Sequence, residues 1–400
     1  MTTDPQQLEL VRTALRLRAS VSYAAIKKVR TMLACVGPED NRVRGILNYH
    51  GTTPGRSTAS LIQIQNFKRA TIKNSEDAYR DICAGISLEM LRFCYGDPLE
   101  VLSSCVRHFV DAGSPMLDAD YAAIQARIVA WLAGQLDVLD QYRQYDAAAT
   151  PEEKEALCLY RKLASLIYGI PVSEVSKFPQ RMVGKHARLG CGFSMGAPKF
   201  RDTVKRLSGY DLPAGLEFKA VDIYRSSNPA IKSYWYEVDA AAKRAILHPG
   251  KIFTPENRKK YVRPEVKFVV REVEGIPFLL IRLPSGRKLA YPKPRIENDR
   301  IVFYGNIQGK ANWGDIDTYG GKLVENIVMG VEADILCRGL HNCDESGYEI
   351  CALIHDQALS YYRNGQSPEE FVRLLTDLPE WASGLPLAAE GSLVPFYKKD

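Results

Sequence analysis

Apolar positions along the chain alternate between helical and strand spacing. Leu8, Val11 and Leu15, then Ile26, Val29 and Leu33, recur every three or four residues and predict a helix over about 6–35, ended by Gly37-Pro38-Glu39-Asp40. A polar, Gly/Thr-rich extended stretch follows from Asn48 to Ser60, then Leu61-Ile62-Gln63-Ile64-Gln65-Asn66. A helical region covers about 75–112. Pro115-Met116-Leu117-Asp118-Ala119-Asp120 alternates as a short strand does. From Tyr121 the residues Tyr121, Ile124, Ile128, Trp131 and Leu132 share one helical stripe, closed by Gly134. Further helices reach about 210, with a break at Ile170-Pro171. Val266 to Tyr304, around Leu283-Pro284-Ser285-Gly286-Arg287, reads as hairpins. Gly320-Gly321 opens a helix to about Leu336. Ile350 to Ile354 is a short apolar strand interrupted by His355-Asp356-Gln357, and a last helix covers about 368–378 before a Pro/Gly-rich cap. Helices and strands are interspersed without a βαβ rhythm or an internal repeat, so the fold class is α+β.

The 400 residues suggest roughly two or three domain-sized units. With 46% apolar and 25% charged residues, wholesale disorder and collagen-like or coiled-coil architectures are excluded. No stretch approaches the ~20 apolar residues that span a bilayer. The start, MTTDPQQLEL, has no basic region ahead of an apolar core, so no secretory signal is expected. Nine scattered cysteines, an odd count, fit free thiols in a reducing compartment. The net charge of +6 is unevenly placed: 12 Lys/Arg against 4 Asp/Glu in residues 1–75, 8 against 1 in 177–206, and 16 against 6 in 243–310. Three basic blocks on an acidic background point to a polyanion partner, unless they are solvated faces.

Familiar nucleotide and metal signatures are missing. Gly305 to Lys310 (GNIQGK) has one residue too few between its glycines for a phosphate-binding loop, and Ala311 stands where Ser or Thr is needed. Cys337, Cys343 and Cys351 with His341 lack the CxxC pair usual in zinc sites. Three segments carry more. Asp118-Ala119-Asp120-Tyr121 lies at a strand-to-helix junction, where an Asp also serves as a helix cap. Ile350 to Gln357 delivers His355-Asp356 after an apolar strand; a carboxylate so placed belongs at an edge, a turn or a cleft, because unpaired burial is costly. Arg181, Lys185, Leu189 and Phe193 are spaced by four, so each lies only ~40° round a helix from the last. Cations followed by flat apolar groups suit a nucleoside triphosphate, though an amphipathic helix with snorkelling cations has the same spacing.

In this order the segments resemble the palm and fingers of family A DNA polymerases, particularly the phage-encoded branch. Asp120 to Arg127 (DYAAIQAR) is similar to motif A, Arg181 to Gly196 (RMVGKHARLGCGFSMG) to motif B, and Ile354-His355-Asp356-Gln357 to motif C. Gly55-Arg56 and Gln65-Asn66 resemble the primer-template contact region, Tyr319 to Ile327 the palm helix before motif C, and Trp381 to Pro386 the C-terminal stretch of the phage branch. The resemblance implies a right-hand polymerase: a palm with an antiparallel sheet and helices over 42–136 and 311–400, mostly helical fingers over 137–310, and a reduced thumb over 1–41.

It also implies residue roles. Asp120, Asp356 and the Tyr121 carbonyl would hold two Mg²⁺ ions, for which Mn²⁺ may substitute. Arg181 and Lys185 would hold the triphosphate of a dNTP, with Lys185 able to protonate the leaving group. Leu189 and Phe193 would flank the nascent base pair, with Tyr121 and Gln125 also in the nucleotide site. Arg56, Gln65, Asn66, His355, Gln357, Lys322 and Asn326 would contact primer-template DNA. The expected setting is the cytoplasm of a bacterial host, with no membrane.

Four positions depart from the family pattern: Gln125 and Gln357 stand for Glu, Phe193 for Tyr and Met329 for Gln. In the family the motif A Glu screens out the 2′-hydroxyl and bonds the motif B Tyr. Both partners are replaced here, and a buried Glu without its partner costs more than a neutral Gln. The resemblance leaves no exonuclease domain and only about 40 residues of thumb, so no proofreading is expected within the chain, unless a separate exonuclease or thumb-supplying subunit provides it. A non-catalytic primer-template binder, and an enzyme that incorporates ribonucleotides or adds untemplated tails, are the rival expectations.

Overall fold

A computed structural model describes residues 24–256, 263–307 and 312–398. The first half of the helix predicted over 6–35, with Leu8, Val11 and Leu15, lies outside them; its second half is α1 (Ala24–Cys35). A two-strand ribbon, β1 (Leu47–Asn48) and β2 (Thr58–Ala59), follows. The region predicted as helix over 75–112 is three short helices, α2 (Ser75–Cys83), α3 (Leu88–Tyr95) and α4 (Pro98–Cys105). Gly85 and Gly96 at positive φ, and Pro98 at the start of α4, divide them.

The strand β3 (Met116–Tyr121) then leads into α5 (Ile124–Ala133), closed by Gly134 at φ 70 as expected. Four helices follow: α6 (Leu136–Ala147), α7 (Pro151–Leu157), α8 (Leu159–Tyr168) and α9 (Met182–Gly190). Next are α10 (Ala197–Ser208), α11 (Leu216–Ser227) and α12 (Pro229–Leu247). The expected hairpins form two antiparallel three-stranded sheets: β4 (Lys267–Val273), β5 (Ile276–Arg282) and β6 (Lys288–Pro292), then β7 (Arg295–Glu297), β8 (Arg300–Asn306) and β9 (Trp313–Thr318). After α13 (Gly320–Glu345) come β10 (Ile350–Ile354), β11 (Gln357–Tyr361), α14 (Pro368–Thr376) and β12 (Ala389–Val394).

The central sheet has the order β10-β11-β3-β12, antiparallel throughout. The alternation in β3 explains its position. Leu117, Ala119 and Tyr121 face a large core that includes residues of α5, α13 and α14. Met116 faces the opposite side, with Ile62, Ile64, Phe67, Val106 and Tyr397. Asp118 and Asp120 share that second side by the strand's two-residue period.

The helix α13 extends to Glu345, well past Leu336. Its last turns carry their own packing: Asn342 Nδ2 donates to the Leu374 carbonyl at 3.1 Å, and a Cβ on Gly339 would lie 2.7 Å from the Leu375 carbonyl oxygen. Its first turn depends on the two glycines. A Cβ on Gly320 would overlap the Trp235 carbonyl oxygen, and one on Gly321 would lie 2.5 Å from Ser194 Cβ. The helix α13 therefore packs backbone-close against α12 and the segment that follows α9, an approach only glycine permits.

Candidate active site

Two acidic positions far apart in sequence meet at one end of the central sheet. Asp120 is the penultimate residue of β3, and Gln357, the first residue of β11, is its register partner. Asp356 therefore sits in the two-residue turn between β10 and β11, and the Tyr121 amide donates to the Asp356 carbonyl at 3.4 Å. Both turns contain non-glycine residues in the left-handed region, Ala123 at φ 54 and His355 at φ 59. Such residues cost on the order of 1 kcal/mol each and persist only where the surroundings fix them. The helix N-cap after β3 is Ala123, with no side-chain cap, so Asp120 does not serve as the cap. Asp120 lines the cleft described next.

Asp120, Tyr121, Gln125 and Asp356 line a cleft of about 480 Å³, together with Arg181, Lys185 and Leu189. The end of the sheet contributes Asp120 and Asp356, while Arg181, at the N-cap of α9, and Lys185, within it, contribute cations. The Arg181 guanidinium lies 5.5 Å from the centre of the Tyr160 ring, which also lines the cleft. A Cβ on Gly184 would overlap the Tyr160 carbonyl oxygen, so the glycine lets α9 lie close along α8. Phe193 departs from the expected face. The α-helix ends at Gly190, and Cys191–Phe193 is a tighter 3₁₀ turn, with Ser194 left-handed at φ 63. A three-residue turn breaks the four-residue register, and Phe193 packs against the core, outside the residues that line the cleft.

Sequence reasoning missed several residues. Arg69 and Glu390 line the cleft, the latter as the register partner of Asp120 on β12. Arg127, 1% exposed, clamps Asp146 through both terminal nitrogens at 2.6 and 2.7 Å and donates from Nε to the Ala122 carbonyl at 2.7 Å. It braces the turn that follows Asp120. The least expected is Glu332 on α13, 1% exposed. Its Oε2 accepts from Gln125 Nε2 at 2.9 Å, and its Oε1 lies 3.1 Å from Arg56. Burial raises its carboxyl to about 7, against the opposing pull of Arg56. The two replacements stand as read from the sequence, and a carboxylate delivered from another helix lies beside Gln125. No sequence signal marked it beyond an acid interrupting the apolar run Val331-Glu332-Ala333.

The expected DNA-contact residues divide. His355 is exposed in the turn beside Asp356. Gln65 donates to the Leu353 carbonyl at 3.4 Å, which sets it beside β10, and Asn66 is exposed next to it. Arg56 is committed to Glu332. Gln357 is 2% exposed; its Nε2 donates to Asp118 at 2.6 Å and its Oε1 accepts from the Tyr397 hydroxyl at 3.3 Å, so it is not offered to a duplex in this structure. Lys322 pairs with Glu325 at 2.8 Å, and Asn326 donates to the Tyr291 hydroxyl at 2.9 Å; neither lines the cleft.

The basic blocks are also partly internal. Arg201 pairs with Glu217, Arg263 with Glu237 and Arg287 with Asp334. Local charge counts overstate the surface field because the acidic background folds back onto them. All nine cysteines are free thiols, and among the described residues no three His, Cys, Asp or Glu side chains are grouped to hold a metal ion.

A sheet that brings two aspartates to one end of its strands, in a cleft also lined by cations of a neighbouring helical segment, defines a class by shape as well as by residues. The structure is similar to the POL domain of Pol1 from M. smegmatis in complex with DNA primer-template and dNTP, with a TM-score of 0.57, 16% identity, and coverage of 98% of this chain and 53% of that one. The fold is that of a Pol I polymerase domain. In sequence the chain is related, at 32% identity over 403 residues, to a DNA polymerase of Bacillus phage SP02. The match covers 98% of this chain and 58% of that relative, so the chain spans a little over half the relative's length. No protein-family model matches the chain.

Proposed function

We propose that this chain is a template-directed DNA polymerase that adds deoxynucleotides to a primer 3′ end inside the bacterial host cell. The observation that carries the proposal is that Asp120, near the end of β3, and Asp356, in the turn leading into the neighbouring β11, line a single cleft with Arg181 and Lys185. Support comes from the phage relative named a DNA polymerase and from the Pol I polymerase-domain fold. The palm would comprise 42–136 and 311–400, consistent with β3 and β10–β12 forming one sheet, with fingers over 137–310 and the end of a thumb over 1–41.

The donor set fits divalent metal. Two carboxylates and the main-chain carbonyl of Tyr121 are hard oxygen ligands, and Mg²⁺ in such enzymes is commonly held by one or two carboxylates plus substrate phosphates and water. When bound, two Mg²⁺ ions (or Mn²⁺) would stabilise charge on the attacking and leaving oxygens of an in-line displacement.

The protein's own residues do the rest. Arg181 and Lys185 hold the triphosphate across from the carboxylates and offset its charge. Lys185 would give a proton to the departing pyrophosphate. Leu189 and Tyr160 supply apolar surface for the base. Tyr121 is rigidly seated, with its hydroxyl donating to the Leu375 carbonyl at 2.6 Å. His355 and the Gln65–Asn66 segment flank the turn bearing Asp356, where a primer terminus would lie. Arg127 keeps the turn after Asp120 in place.

The test is extension of a primed DNA template with dNTPs and Mg²⁺. Wild type should extend it, and Asp120→Ala should lose about a thousand-fold or more, an effect of ~4 kcal/mol. Retention of primer-template by both proteins without extension would identify a binding relative instead.

A further inference from the structure

The two small sheets between α12 and α13 contribute nothing to the cleft, and the outer face of the first is basic. One face of β4–β6 packs Phe268, Ile281 and Leu289 into the core. By the two-residue period the other face carries Lys267, Arg271, Arg282 and Lys288, with Val269 and Leu280 between them and no acid. Lys267 is the register partner of Arg282, and Arg282 that of Lys288, so three cations stand in one row across three strands. Like charges directly opposite one another destabilise a sheet. Lys267 is offset by Glu265 at 2.8 Å; among the described residues Arg271, Arg282 and Lys288 have no acidic partner, and all three are exposed. At its Lys267 end the row borders a recess of about 140 Å³, with Arg282, Glu265 and Trp381 also in its wall. The β5–β6 turn next to the row is anchored: Arg287 donates to the Gly330 carbonyl at 2.7 Å, and a Cβ on Gly55 would overlap its guanidinium.

We propose that the row Lys267–Arg282–Lys288 is a contact strip for the phosphate backbone of the primer-template duplex, outside the cleft. The inference rests on the polymerase reading above and adds a second surface that holds the DNA. A row of like charges that weakens the free sheet is stabilised by a polyanion laid across it. Duplex DNA carries about one charge per 1.7 Å of axis, so a row roughly 10 Å long meets several phosphates. The face offers no exposed aromatic ring on which bases of a single strand would stack, since Phe278 is half-buried. Its anchored turn touches Gly55, in the segment read as meeting the duplex, so the strip continues that surface. Contacts of this kind hold and orient DNA without reading its sequence.

The experiment measures the Kd of a labelled primer-template duplex, and of a single strand of the same length, across a range of NaCl concentrations, together with thermal unfolding. It compares wild type, Arg282→Gln/Lys288→Gln, the charge-keeping exchange Arg282→Lys/Lys288→Arg, and Arg363→Gln/Arg373→Gln. The last removes the same charge from exposed arginines already paired with Glu349 and Glu370. In Arg282→Gln/Lys288→Gln duplex affinity should fall about ten-fold or more, and the slope of log Kd against log salt should flatten by about two, one for each lost phosphate contact. The charge-keeping exchange and the paired-arginine control should both stay near wild type. Thermal unfolding of Arg282→Gln/Lys288→Gln should match or exceed wild type, because a repulsive row is relieved. A marked loss of stability would give the row a structural role and overturn the proposal. So would an unchanged affinity and slope, an equal loss in the paired-arginine control, or a loss confined to the single strand. Wild type that binds and extends primer-template while Arg282→Gln/Lys288→Gln binds equally well refutes this inference alone, whereas wild type that neither retains nor extends primer-template refutes the polymerase reading and this inference with it.

Discussion

Two glutamine–carboxylate pairs flank the proposed metal-binding aspartates, and they are built differently. Gln125 reaches from α5 to Glu332 on α13 and also borders the cleft. Gln357 reaches within the sheet from β11 to Asp118 on β3, beside the Tyr397 hydroxyl. Both glutamines occupy positions where the resemblance led us to expect glutamate. In each case a carboxylate lies within hydrogen-bond distance. The cleft pair has an arginine counter-ion and a wet side. The sheet pair is sealed, with Gln357 at 2% and Asp118 at 8% exposure. The first arrangement suits a group that meets substrate, and the second suits a group that fixes the strand register under Asp120.

The difference can be broken by substitution. Removing the counter-ion should have the largest effect on stability. Arg56→Ala leaves a buried charge at Glu332 without its arginine and should cost about 3–5 kcal/mol in urea unfolding, less whatever the carboxyl recovers by taking up a proton. Next comes pH. The folded protein holds the Glu332 proton more tightly than the unfolded chain, with a carboxyl raised from 4.5 to about 7. Its contribution to stability is therefore complete below pH ~4.5 and is lost as pH rises through about 7, by up to ~3 kcal/mol. Glu332→Gln should abolish this component, so thermal unfolding of the variant should gain on wild type between pH 5 and 8. A constant difference across that range would contradict it. The smallest effect belongs to the sealed pair. Gln357→Leu removes the 2.6 Å donor from Asp118 and should cost about 1–3 kcal/mol while leaving the Gln125 pair intact.

Much of this was legible in the sequence where local rules decide the outcome. The alternation of Met116 to Tyr121 gave a strand, Gly134 gave its helix an end, and Leu283–Arg287 gave a hairpin turn. The cleft residues Asp120, Gln125, Arg181, Lys185, Leu189 and Asp356 were also named, but their meeting came from the family resemblance, since spacing alone left each open. What stayed hidden depends on distant partners. The strand β11 (QALSY) is too short to show a pattern, and β12 (AEGSLV) carries few apolar residues because it is an edge strand. Glu332 reads as a surface acid until the fold brings Gln125 and Arg56 onto it. Phe193 shows the converse: the four-residue period does not carry across Gly190 and Gly192, where the helix tightens and the half-buried ring packs against the core.

The central claim is that Asp120 and Asp356 act as one unit on a shared pair of divalent ions. The most direct measurement is a double-mutant cycle in Mg²⁺-dependent primer extension, comparing Asp120→Ala, Asp356→Ala and the double variant. Residues that serve one assembly are strongly non-additive, so each single change should cost nearly as much as the two together. Losses that simply multiply, or a variant that still extends the primer at close to the wild-type rate, would contradict the account.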